Sequence, residues 1–128
     1  HLHFLQNRGV DLEGLERIEG EKTFRWGGDY TRDLNSAVTL FTDLNVYGEF
    51  DPKLPDTYQN TPYVFLANIN PELQLNVLQQ TTAPKLIVCD TMNLWINTTP
   101  IELRSLINKT NILLINENCR YNTNQRKV

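Results

Sequence analysis

Three short apolar runs constrain this chain most: Tyr63-Val64-Phe65-Leu66-Ala67, Lys85 to Cys89, and Asn111 to Ile115. Each gives way to polar residues. Runs of that length, rich in β-branched and aromatic residues, read as strands inside a sheet. The segments between them read as helices. Asn70-Pro71-Glu72 opens the first. Asn suits an N-cap, Pro is pre-organised for the first helical position, and Glu complements the positive end of the helix. Leu73 and Val77, one turn apart, carry this helix to about Gln80. Thr99-Pro100-Ile101-Glu102 has the spacing of a capping box, and Leu103, Leu106 and Ile107 supply the second helix's apolar face. Strand, helix, strand, helix, strand predicts a parallel α/β sheet with right-handed connections and helices over both faces.

The region upstream is different. Thr23 to Trp26 reads as a strand, Gly27-Gly28-Asp29 as a turn, and Ala37 to Thr42 as a second strand antiparallel to the first. Asp51-Pro52 and Leu54-Pro55-Asp56 then interrupt regular structure. Among the first twenty residues Val10, Leu12, Leu15 and Ile18 suit a short helix or a loosely packed loop. Gly9, Gly14 and Gly20 exclude a long helix there. Beyond Cys119 only Tyr121 and Val128 are large apolar residues, so residues 119–128 are expected to be an unstructured tail.

Composition removes several function classes. The 128 residues are 40% hydrophobic and 21% charged, the balance of a folded domain. A net charge of -3 and a pI of 5.3 do not suit a nucleic-acid partner. Arg120, Arg126 and Lys127 read as a solvated tail. Two cysteines, Cys89 and Cys119, are too few for a disulfide framework; a reducing, cytoplasmic setting is expected, with Cys89 a buried thiol. In that setting Asn97-Thr98-Thr99 and Asn108-Lys109-Thr110 are chance matches to the glycosylation pattern. No apolar run reaches the ~20 residues that span a bilayer, so no membrane partner is expected. The chain has neither a Gly-x-x-x-x-Gly-Lys phosphate loop nor a dinucleotide Gly-x-Gly-x-x-Gly, and no cysteine pair at zinc spacing.

Ligands of open parallel sheets bind beyond the carboxyl ends of the strands. Three polar clusters fall there: Asn68 with Asn70, Asp90 with Asn93, and Asn116 with Glu117. Each has a plainer reading as loop or cap, and Asn70 is fully explained as an N-cap. Trp26 and Trp95 read as packing residues.

The stretch from about Gly9 to Asn118 resembles the middle of sugar and nucleoside kinases of the PfkB/ribokinase-like family. Leu66-Ala67-Asn68-Ile69-Asn70-Pro71-Glu72, Val88-Cys89-Asp90-Thr91-Met92-Asn93-Leu94-Trp95 and Leu113-Leu114-Ile115-Asn116-Glu117-Asn118 carry the resemblance. It implies a partial ribokinase-like fold over residues 1–118, with strand-helix-strand-helix-strand at 63–118 and a β lid over about 21–50. It implies ATP-dependent phosphoryl transfer to a hydroxyl of a sugar or nucleoside, with Mg2+. Asp90, Asn93 and Asn68 would bind substrate, Arg25 would reach it from the lid, and Asn116 would hold the metal through a water. Arg25 is the weaker candidate, and a plain surface charge explains it better. The lid strands would also serve a homodimer.

Two departures from the family matter. Asn116 stands at the first position of the family's Asn-x-x-Glu motif, but position 119 is Cys119, and a thiol is a poor magnesium ligand. The family's Gly-x-Gly-Asp segment, which supplies the catalytic base and oxyanion amides, has no match. The chain is therefore expected to be a truncated central fragment without catalysis of its own, the pattern a frameshift after Asn118 would leave. A non-catalytic interaction module and a flavodoxin-like small-ligand binder are the alternatives.

Overall fold

A computed structural model describes residues 1–33 and 36–115. The chain divides into two compact units, His1–Asp51 and Pro52–Val128.

The first unit starts with a short helix, α1 (Leu2–Gln6). A loop follows in which Gly9 and Gly20 take positive φ, 77° and 80°, where a Cβ would be strained. Val10, Leu15 and Ile18 of this loop are exposed. Strands β1 (Arg25–Asp33) and β2 (Ser36–Asp43) pair antiparallel, as the sequence predicts. Gly27-Gly28-Asp29 is not the turn, however, for it lies inside β1. Gly27 faces Phe41, Gly28 faces Thr39, and the register shifts between the two glycines. The Phe41 ring lies where a Cβ of Gly27 would be, and the Trp26 ring where a Cβ of Gly28 would be. The unpaired residue of this bulge is Leu40 in β2, and the two glycines opposite it leave room for the two aromatic rings against the backbone. Trp26 Nε1 donates to Thr39 Oγ1 at 3.3 Å across the ribbon. A 3-10 turn (Asn45–Gly48) closes the unit, and Asn45 Nδ2 donates to the Thr23 carbonyl at 2.8 Å. That bond holds Asn45 at a φ of 49°, which Asn tolerates better than most residues. The Tyr47 ring meets those of Phe24 and Phe50, with centroids 5.3 and 6.1 Å away.

The second unit is the α/β part. After α2 (Asp56–Gln59) come β3 (Tyr63–Leu66), α3 (Pro71–Gln79), β4 (Leu86–Asp90), α4 (Asn93–Thr98), α5 (Pro100–Ile107) and β5 (Ile112–Leu114). The three strands are parallel, in the order β3-β4-β5. Tyr63 pairs with Leu86, Val88 with Ile112, and Asp90 with Leu114. Asn70 caps α3 as predicted, its Oδ1 accepting from the Glu72 N–H at 3.0 Å. The apolar face of α3 is Leu75, Val77 and Leu78 rather than Leu73 with Val77. Thr99 makes no side-chain cap on α5, contrary to the capping-box spacing. Its hydroxyl donates backwards to the Trp95 carbonyl at 3.2 Å, because α4 ends immediately before it.

Two right-handed crossovers between strands laid down in spatial order put their helices on one face. That happens here: α3 and α5 touch each other. Val64, Leu66, Cys89, Ile96, Leu103 and Leu106 form the buried core between sheet and helices. Alternate residues show the consequence. In β3, Val64 and Leu66 are buried, while Tyr63 and Phe65 are 68% and 60% exposed. The expected cover over both faces is not seen within this unit: α3, α4 and α5 all pack on the face of Val64 and Leu66.

Candidate functional site

The carboxyl ends of β3 and β4 lie side by side, so Asn68 and Asp90 start from one rim. Gln74, on the sheet-facing side of α3, reaches up beneath them. The two N–H groups of its Nε2 are shared among the carbonyls of Leu66 at 3.0 Å, Ala67 at 2.8 Å and Asp90 at 3.0 Å. One amide therefore ties the end of β3 to the end of β4. Gln74 is 1% exposed, so water cannot substitute for these bonds. Trp95, on α4, donates from Nε1 to Asn68 Oδ1 at 2.9 Å. That bond fixes the Asn68 amide from the side of the second crossover. Both Trp95 and Gln74 are thus positioning groups for the rim.

Sequence reasoning missed Gln74. Its signal was present: Pro71, Gln74, Leu75 and Leu78 stand at i, i+3, i+4 and i+7, placing an amide on an otherwise apolar stripe. It also missed that Trp95 works through its N–H.

Two buried oxygens near this rim, Gln74 Oε1 and Thr91 Oγ1, have no partner among the described residues. Thr91 is 6% exposed and follows β4 directly. Buried polar atoms are nearly always satisfied, and exceptions call for an explanation such as a functional role. Cys89 sits under the same rim, fully buried. Burial and the neighbouring Asp90 charge push its thiol up to about 11, against a smaller opposing effect of the Gln74 hydrogen bond. It is a protonated core group, as its apolar surroundings predict, and not a nucleophile.

Asn93 opens α4 at its first position, three residues past Asp90, so both belong to the β4-α4 connection. Arg25 belongs to the hairpin unit, where its guanidinium lies 5.3 Å from the centre of the Phe41 ring. Asn116 and Glu117 lie outside the described residues, as does the tail from Cys119. Among the described residues no three His, Cys, Asp or Glu side chains gather to hold a metal. A cavity of about 570 Å³ lies elsewhere, along the outer edge of β3, lined by Leu54, Tyr58, Pro62, Tyr63, Phe65 and Val77 among others. No described helix is long and apolar enough to cross a membrane. No protein-family model matches the chain, and no curated protein matches it.

Proposed function

We propose that the rim built on β3 and β4 binds a hydroxyl-rich ligand, a sugar or nucleoside, and that the chain is the central part of a PfkB/ribokinase-like kinase. The observation that carries this reading is that Gln74 ties the backbone carbonyls of Ala67 and Asp90 together at neighbouring strand ends while Trp95 holds the Asn68 amide beside them. A carboxylate and a held amide at neighbouring strand ends offer acceptors and donors of the kind that vicinal hydroxyls need. Asp90 accepts from ligand hydroxyls, Asn68 supplies an amide N–H while its oxygen is held by Trp95, and Asn93 borders the same connection.

The described residues do not fit a magnesium–ATP complex by themselves. Magnesium is held by one or two carboxylates together with phosphates and waters. Asp90 is the one carboxylate at the described ends of β3, β4 and β5, and position 119, where the family motif has Glu, is Cys119. No step of phosphoryl transfer is therefore assigned to these side chains. In an intact kinase the nucleotide would supply the transferred phosphoryl group, and this rim would hold the acceptor.

Calorimetric titration with ribose, fructose and adenosine tests the reading. At least one should bind, and Asp90→Asn should weaken it about tenfold or more, the worth of a hydrogen bond to a charged group. Incubation with ATP and magnesium should transfer no phosphate above the protein-free rate. Equal binding by the variant, or binding of none of the three, would falsify the assignment of the rim.

A further inference from the structure

We propose, on the reading of the rim as a site for a hydroxyl-rich ligand, that Trp95 sets which ligands it accepts. Trp95 turns the Asn68 amide so that only N–H donors face the ligand. The position next to Asn68 therefore takes an oxygen acceptor and refuses a protonated amine. The indole N–H is a donor only, and Trp95 Nε1 lies 2.9 Å from Asn68 Oδ1. An unrestrained Asn can turn its amide over and offer a ligand either its oxygen or its nitrogen. Here that choice is removed. Turning the Asn68 amide would set N–H against N–H and leave a part-buried indole N–H without its acceptor, which costs more than one ligand hydrogen bond returns.

Both partners are held in place. The Trp95 backbone is tied on each side: its N–H donates to the Met92 carbonyl at 3.1 Å, and its carbonyl accepts from the Thr99 N–H at 3.0 Å and the Thr99 hydroxyl at 3.2 Å. Asn68 stands between β3 and Asn70, the cap of α3, so the chain is fixed before and after it. Its nitrogen has no acceptor among the described residues. Nor is that nitrogen one of the buried atoms left without a partner, so it is open to solvent. A ligand meets there a pair of N–H groups in a set orientation. A sugar hydroxyl or ring oxygen accepts from them. An ammonium group has donors and no acceptor, so donors meet donors and neither side is paired. A site that leaves polar groups unpaired in this way rejects the wrong ligand far more strongly than one that merely lacks a contact. A ligand position beside Asp90 instead tolerates the amine, because a carboxylate accepts from it.

Calorimetric titration of the full chain tests this. The probes are those of ribose, fructose and adenosine that bind, with each sugar hydroxyl replaced in turn by fluorine or by an amine. Fluorine only accepts, and the amine is protonated at about pH 6 and only donates. At one ring position the amino ligand should bind about tenfold or more weakly than the fluoro ligand. Trp95→Phe keeps an aromatic ring and removes the N–H, so it should bring the two within about threefold of each other. Asn68→Asp keeps an oxygen for the indole and turns an acceptor towards the ligand, so it should reverse their order. A residue that only shaped the site would weaken every ligand together and leave the order as it was. Circular dichroism checks that each variant is folded, and Asn68→Asp, close to Asn in shape, decides the matter if Trp95→Phe is not. Equal binding of fluoro and amino ligands at every position, or an order that neither variant changes, overturns the proposal and leaves the rim as a sugar site. Binding of none of the three parents overturns both.

Discussion

At 1% exposure, Gln74 must make its hydrogen bonds inside the protein, and three backbone carbonyls depend on it. Gln74→Ala leaves those carbonyls short of a donor and opens a void beneath the rim. The expected loss is about 2–4 kcal/mol, read as a lower urea midpoint. The change also frees Asn68 and Asp90 from each other, so ligand binding at the rim should fall with it. Asn70 was legible in the sequence because a cap acts within three residues of itself. The place of Gln74 on an apolar stripe was legible too, but its partners were not, because its acceptors lie 7, 8 and 16 residues away, at the ends of two strands. Cys89 offers a second residue-level prediction. Its thiol ionises near 9.0 when unfolded and near 11 when folded. Between those values the unfolded chain has lost the proton that the folded chain keeps, so stability is full below pH 9 and falls as pH rises towards 11. The loss is on the order of 3 kcal/mol, and Cys89→Ala should flatten that part of the pH profile.

Among the elements, the hairpin shows how one sequence signal serves two structures. A Gly-Gly-Asp run suits a turn because glycine accepts unusual backbone angles, and it suits a strand crossed by aromatic rings because glycine has no Cβ. Which holds depends on Phe41 and Thr39 in the other strand, which local spacing does not reveal. The structure predicts that Gly28→Ala lifts the Trp26 ring and breaks its bond to Thr39 Oγ1. Near-UV circular dichroism should lose the tryptophan signal, and the unit should lose about 1–3 kcal/mol from overpacking. Gly9→Ala places its methyl group in open space, so it tests positive φ alone and should leave that signal intact. The parallel strands were legible for a simpler reason: three apolar runs at crossover spacing have few other solutions. Their one-sided cover was not. A continuous apolar run looks the same whether its second face is packed or bare, and only the burial of Val64 and Leu66 beside exposed Tyr63 and Phe65 distinguishes the two.

For the whole molecule, the division at Asp51 and Pro52 has a physical cause in Gln80, at the C-terminal end of α3. Its Oε1 accepts from the Leu54 N–H at 2.8 Å, and its Nε2 donates to the Pro52 carbonyl at 2.9 Å. A third bond, from Nε2 to Asn76 Oδ1 at 2.7 Å, holds the side chain in place. The sequence marked a break here through its prolines, but it could not show to which unit residues 52–54 attach. Gln80 attaches them to the α/β unit. Proteolysis needs an extended segment free to enter a protease, so chain clamped in this way resists cleavage while chain just before it does not. Brief digestion by a glutamate-specific protease should therefore cut after Glu49, which is exposed and precedes the clamp. Trypsin should cut slowly after Lys53, although that side chain is also exposed, because Pro52 and Leu54 are both held. Gln80→Ala removes both bonds at once and should make Lys53 about tenfold more susceptible, with cleavage after Glu49 unchanged. Equal trypsin rates in the two proteins would mean that something other than Gln80 sets the boundary.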